Sequence, residues 1–238
     1  YGINEYDYSA IMQGPTSAHW FGTDEYGRDY FTRILYGGRI SLLIGITSMA
    51  VTLVLGSFIG ICSGYLGGKI DIILMRFTDI FLALPSMLLM IVLNTLLQPG
   101  LPTLILVLSL FSWPSIARIT RAETMSIKER DYIIATERLG ASFGRIAIKH
   151  ILPNIVGTIV VAANLNIANA ILMESSLSFL GLGVQIPTAS WGSMLQTAQK
   201  YILNRPQLIM FPAIFIIVTV LGFNMLGEIM KNILEERA

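Results

Sequence analysis

Residues 123–153 read ETMSIKERDYIIATERLGASFGRIAIKHILP, the one long polar interruption in an otherwise apolar chain. Asp131 stands where it can cap a short helix that Gly140 terminates. Ser142 can cap a second, whose Phe143, Ile146, Ala147 and Ile151 recur at helical spacing. Pro153 disfavours helical geometry at its predecessor, so the second helix is predicted to break there, before the apolar run that follows. Arg121, Lys128, Arg130, Arg138, Arg145 and Lys149 crowd residues 121–153, and the positive-inside bias places such a segment in the cytoplasm. A compact helical knob facing the cytosol is expected.

Composition sets the medium. Of 238 residues 54% are hydrophobic and 13% charged, and the mean hydropathy is +0.67. So little polar surface cannot solvate a globule of this size, and the fold class is expected to be all-α, a polytopic membrane helix bundle. A net charge of +1, with its cations gathered in particular loops, leaves no footprint for nucleic acid. The single cysteine, Cys62, lies in an apolar run, which excludes an intrachain disulfide and a cysteine-based zinc cage. The chain begins at Tyr1 without Met or a signal-peptide pattern, so its natural N-terminus is expected to lie further upstream.

Five spans are legible. The first, Ile40–Leu66, follows a mixed, aromatic stretch in which Arg28–Arg39 is expected to form an amphipathic helix lying in the interface, with Tyr30, Phe31, Ile34 and Leu35 on one face. Gly56, Gly60 and Gly64 recur every four residues in this span and make a smooth stripe for a neighbouring helix. The second, Ile72–Leu97, is interrupted by Pro85 and opens with Asp71, Arg76 and Asp79. Arg76 and Asp79 are spaced to pair on one helical face. After a turn at Gln98–Pro102 comes the third, Thr103–Ile119, expected to break at Trp113-Pro114. The fourth, Ile155–Met173, carries Asn164, Asn166 and Asn169, and at least one of these amides is expected to meet a neighbouring helix. Glu174–Gln207 reads as a long external segment with a short amphipathic piece at Met194, Ala198 and Tyr201. Leu208–Met230 is the last span.

Charge sets the orientation. With loops assigned alternately, Lys69, Arg76, Arg118, the six cations of the knob, Lys231 and Arg237 fall inside. Arg28, Arg33, Arg39, Lys200 and Arg205 fall outside.

Within the knob, Ala135, Gly140, Leu152 and Pro153 match, with both spacings intact, the Glu-Ala-Ala, three residues, Gly, nine residues, Ile, one residue, Leu-Pro pattern of permease subunits of binding-protein-dependent ABC importers. Ile134 stands where that family usually has Glu, Thr136 replaces the second Ala and His150 the Ile. Two further stretches, Gly22-Thr23-Asp24-Glu25-Tyr26-Gly27-Arg28-Asp29 and Ser178-Phe179-Leu180-Gly181-Leu182-Gly183-Val184-Gln185 with Pro187 and Ser190-Trp191-Gly192, resemble the dipeptide, oligopeptide and nickel branch of that family.

The resemblance implies the type I ABC importer permease fold, with a sixth helix upstream of Tyr1. It divides the chain into an extracytoplasmic and interfacial segment, 1–39, and a membrane domain, 40–238, with a coupling loop at 121–153 and an external loop at 174–207. It implies that Asp131, Ala135, Glu137, Arg138, Gly140, Ala141, Ser142, Leu152 and Pro153 couple the chain to a cytoplasmic ATPase. Arg76, Asp79, Asn164, Asn166, Asn169 and Glu174 are the candidates for pathway lining or gating. The partners implied are a homologous permease subunit, two ABC ATPase subunits and an extracytoplasmic substrate-binding protein, in a prokaryotic-type cell membrane crossed several times. ATP and magnesium would be used by the ATPases, with no cofactor, metal or catalytic residue in this chain, and the cargo would be a di- or oligopeptide.

Other readings are weaker. A nickel or metal-chelate permease of the same branch would be expected to carry His, Cys or carboxylate clusters along its spans, and none appears. Gly64-Tyr65-Leu66-Gly67-Gly68-Lys69 is not a phosphate loop, because Ser63 and Ile70 occupy required positions. Gly140-Ala141-Ser142-Phe143-Gly144 fits the hydrolase pattern Gly-x-Ser-x-Gly, yet a helix precedes it where a strand is needed, and only His19 and His150 exist as bases. A secondary transporter would be expected to show internal repeats and mid-bilayer ionisable groups, and neither is seen.

Overall fold

The computed structural model describes residues 1–235, and Arg237 of the charge argument lies outside them. Among the described residues nine α-helices follow one another: α1 Tyr30–Leu66, α2 Gly68–Ala83, α3 Ser86–Leu96, α4 Leu101–Lys128, α5 Asp131–Arg138, α6 Phe143–Ile146, α7 Leu152–Phe179, α8 Trp191–Ala198 and α9 Gln207–Glu235. Among the described residues the only β pairing is a single bridge between Thr23 and Asp29. Four helices of the described residues are long and apolar enough to cross a membrane, and the α2–α3 pair, bent by 84° at Pro85, makes a fifth if counted as one span.

Three expected boundaries are absent. The Arg28–Arg39 stretch does not form a separate interfacial helix, because α1 runs unbroken for 37 residues from Tyr30. Tyr30 and Ile34 are buried at its start while Leu35 is exposed. Trp113-Pro114 does not break α4, which passes through Pro114. Pro153 does not break the last helix of the knob from the span after it; helix continues from Phe143 to Phe179 through a π-turn at Ala147–Ile151. A proline lacks an N–H and its ring clashes with the carbonyl four residues earlier, here that of Lys149. The widened turn lies where that clash would occur, so helical geometry absorbs the proline. In hydrocarbon the alternative to helix is unpaired backbone, which is why such prolines are accommodated and not used as stops.

The chain folds into two compact units. One comprises residues 1–47, 91–108 and 168–222. Its core joins Tyr30 and Ile34 of α1 to Trp191, Met194 and Ala198 of α8 and to Leu208 and Ile216 of α9. The amphipathic piece expected at Met194 and Ala198 is therefore α8, which Ser190 caps in a reciprocal box with Ser193.

The other comprises residues 48–90, 109–167 and those from 223 onward. Its organising contact is the glycine stripe of α1 against α4. A methyl placed on Gly60 would lie 2.6 Å from the Ala117 carbonyl oxygen and 2.6 Å from Thr120 Cβ. At Gly56 it would lie 2.8 Å from Ile116 Cβ, and at Gly64 2.8 Å from Thr124 Cβ. The helices approach backbone to backbone, which only a stripe without side chains permits.

Gly60→Leu is expected to destabilise the folded chain by roughly 1–3 kcal/mol through overpacking. Gly222→Ala on α9, where a methyl meets nothing within 4 Å, should be neutral or slightly stabilising. Denaturant titration in mixed micelles compares the two.

Candidate functional site

The polar segment folds as two short helices on an isoleucine base. Ile133 of α5, Ile146 of α6 and Ile151 of the π-turn are wholly buried, packed with Ile61 and Tyr65 of α1, Ile127 of α4 and Ile155 and Ile159 of α7. Phe143 adds a ring contact to Tyr65, with centroids 5.1 Å apart. Lys128, at the end of α4, donates to the Tyr65 carbonyl oxygen at 2.6 Å, satisfying one of the acceptors that a helix C-terminus leaves open.

The capping differs from expectation. Arg130 occupies the N-cap of α5 without a side-chain bond, and Asp131 is the first helical residue, where its charge complements the helix dipole. Ser142 does stand at the N-cap of α6, but its hydroxyl makes no cap bond. Gly140 adopts φ +83°, a left-handed turn that ends α5, and nothing lies within 4 Å of where its side chain would be.

Of the residues singled out here, Asp131, Ala135, Glu137, Arg138, Gly140, Ser142, Leu152 and Pro153 are exposed and Ala141 is half-buried. Sequence reasoning missed Leu139, which is 89% exposed at the tip between the two helices. An apolar side chain standing free at the apex of a charged knob was the available signal.

The charged groups of α2 find partners that local spacing did not indicate. Arg76 and Asp79 pair as their spacing indicated, at 3.9 Å, but Asp79 holds Arg118 of α4 more closely, at 2.6 Å. Asp71 forms a two-pronged pair with Arg121, Nε and one terminal nitrogen each 2.6 Å from a carboxylate oxygen. Ser63 of α1 also donates to Asp71. The three asparagines part company. Asn164 donates to the Phe223 carbonyl of α9 at 3.0 Å, which meets the expectation that one amide reaches a neighbouring helix. Asn166 bonds back to Ala162 in its own helix, and Asn169 is exposed. Glu174 belongs to α7, not to a loop, and exposes none of its surface. Among the described residues, no three His, Cys, Asp or Glu side chains gather as metal ligands would.

In the other unit, residues 22–29 form a charged turn ahead of α1. Asp24 accepts the backbone N–H groups of Tyr26 and Arg28 at 2.9 and 3.0 Å and the Arg28 side chain at 2.7 Å. Asp29 accepts the Thr32 N–H at 2.8 Å and contacts His19 at 2.9 Å, capping α1. Burial alone would raise the Asp29 carboxyl, but the Thr32 N–H and His19 outweigh it and hold it below its ordinary value of 3.8.

A family model described as "Binding-protein-dependent transport system inner membrane component" matches residues 53–238. The dipeptide transport system permease protein DppC of Alkalihalophilus pseudofirmus is 40% identical over 226 residues, covering 95% of this chain and 74% of its own length. The oligopeptide transport system permease protein OppC of Bacillus subtilis is 40% identical over 240 residues, covering 99% and 79%. The glutathione transport system permease protein GsiD of Pectobacterium atrosepticum is 40% identical over 234 residues, covering 98% and 78%. Among solved structures, inward-facing MetNI methionine ABC transporter superposes with a TM-score of 0.70 at 17% identity, over 85% of this chain and 96% of that one. That likeness establishes the fold.

Removing one partner of the Asp71–Arg121 pair should cost more than removing both. A cycle of Asp71→Asn, Arg121→Gln and the double variant is expected to return a coupling of roughly 1–3 kcal/mol by denaturation in mixed micelles. Asp29, held below its ordinary 3.8, contributes stability that is present above that value and lost as pH falls through its lower folded value. Protection of the Thr32 amide should therefore fall on acidification, and Asp29→Asn should abolish that dependence.

Proposed function

The chain belongs to the family of binding-protein-dependent transport system inner membrane components, and we propose that it is one of two homologous membrane subunits of an ATP-driven peptide importer. The observation that carries the reading is the knob: an exposed, charged surface seated on buried isoleucines that also belong to the ends of α1 and α4 and the start of α7. A soluble motor that grips the surface displaces the helices beneath it, because the base is packed and has no compliance of its own.

The roles follow from placement. Ala135, Glu137, Arg138, Gly140 and Ser142, with Leu139 between them, present the docking face on the cytoplasmic side. Asp131 closes the start of α5, Ala141 is wedged beneath the turn, and Leu152 and Pro153 begin the shaft. Two ATPase subunits bind ATP and magnesium and supply the stroke; an extracytoplasmic binding protein delivers cargo. The second membrane subunit completes the pathway, to which Asn166 and Asn169 contribute from this chain, with Asn164 held by α9. Arg76 and Asp79, with Arg118, form an exposed charged cluster suited to gating. Residues 1–39 and the segment from 174 to 207 lie toward the outside. The relatives named for dipeptides, oligopeptides and glutathione support a short peptide as the cargo.

Gly140→Val places a β-branched side chain at a left-handed position, at a cost of about 1–2 kcal/mol in the turn alone. In proteoliposomes containing the assembled transporter and its binding protein, it should cut peptide uptake about tenfold or more while ATP hydrolysis continues. Leu139→Asp, at an exposed position, should leave the chain's stability unchanged and weaken ATPase attachment. Normal uptake in both variants, or uptake driven by a sodium or proton gradient without nucleotide, would count against the reading.

A further inference from the structure

Glu174 lies five residues before the end of α7, with no exposed surface and with hydroxyls rather than cations for partners. Ser41 donates to Oε2 at 3.0 Å and Ser178 to Oε1 at 2.7 Å, and Ser175 sits 3.5 Å from Oε2. Each of the first two passes the bond on. Ser41 Oγ accepts the backbone N–H of Trp191 at 3.2 Å, and Ser178 Oγ accepts that of Val184 at 3.2 Å.

The direction of these bonds matters. A serine hydroxyl offers one proton and two lone pairs, and a carboxylate only accepts. Glu174 therefore claims both hydroxyl protons and turns both sets of lone pairs toward the two amides, which strengthens them as acceptors. Val184 lies within the loop between α7 and α8 and Trp191 opens α8, so one carboxylate fixes both ends of the 184–191 stretch through two intermediaries. The fit around them is close. A methyl on Gly192 would lie 2.6 Å from Ser175 Cα and 2.7 Å from Ser178 Cβ. The Trp191 ring covers Gly38, and its Nε1 donates to the Ile34 carbonyl at 3.0 Å. Between the two anchors Ile186 stands 76% exposed.

We propose that Glu174 is a positioning residue: through Ser41 and Ser178 it sets the 184–191 loop against α1 and α7 and holds its exposed tip in the conformation that receives the loaded binding protein. This rests on the importer reading above, and it gives Glu174 a different task from lining the pathway. A glutamine in its place would accept from one serine and donate to the other, leaving one hydroxyl proton without an acceptor.

The test uses the full chain in nanodiscs for amide exchange, and the assembled transporter with peptide-loaded binding protein for ATPase titration. Ser41→Ala should lower protection of the Trp191 amide alone, and Ser178→Ala that of Val184 alone, each by about tenfold. Glu174→Gln should lower at least one, and Glu174→Ala both. In the titration these variants should raise the half-saturating concentration of loaded binding protein several-fold with the maximal rate nearly kept, a split that general loss of stability would not give. Unchanged protection at both amides in Glu174→Gln and Glu174→Ala overturns the proposal. So does a loss spread evenly along α7 and α8 with both kinetic parameters falling together. A wild-type assembly that ignores peptide-loaded binding protein would defeat the importer reading, while the exchange measurements would still judge Glu174.

Discussion

The close approach of α1 and α4 along Gly56, Gly60 and Gly64 is the constraint on which the unit carrying the knob depends. Helices in lipid gain little from apolar burial against one another, so contact has to come from shape and from polar groups brought within reach. Here the absent side chains supply the shape. Once the backbones touch, Lys128 at the end of α4 reaches the Tyr65 carbonyl near the end of α1, and Ser63 of α1 joins Arg121 of α4 at the Asp71 carboxylate. The isoleucine base is built on the ends that this contact brings together. Without the stripe there would be no floor beneath α5 and α6.

Much of this was visible in the order of residues. Apolar runs marked the spans, the glycine period marked the packing face, and Gly140 with the cations around it marked a turned helical knob. These signals are local, and they survive folding because one helix can express them. What the sequence hid is of two kinds. Pro114 and Pro153 obey rules measured where water can pair a freed carbonyl; in hydrocarbon the same residues are carried inside helix, one of them behind a widened turn. The partners of Asp71, Asp79 and Glu174 lie on other helices, 50, 39 and 133 residues away for Arg121, Arg118 and Ser41. Spacing along one helix favoured Arg76 for Asp79, and nothing local could rank a distant arginine above it.

The knob and the loop between α7 and α8 are held in different ways. The knob sets a charged crown on a buried hydrocarbon base. The loop between α7 and α8 buries Val184 and Ala189 and is tied besides by directed bonds through serine. Ser41 and Ser178 are the compositional trace of that tie, and their part in it shows only once the helix beneath Ser178 is seen to continue to Phe179.

The pairing of Asp71 with Arg121 has a consequence for descent. Losing either partner strands a charge beside the membrane, whereas losing both leaves two neutral side chains that can pack. The path from one state to the other thus crosses a trough in fitness, and lineages would be expected to keep acid and base together or to exchange them as a unit, even though half a hundred positions of chain separate them.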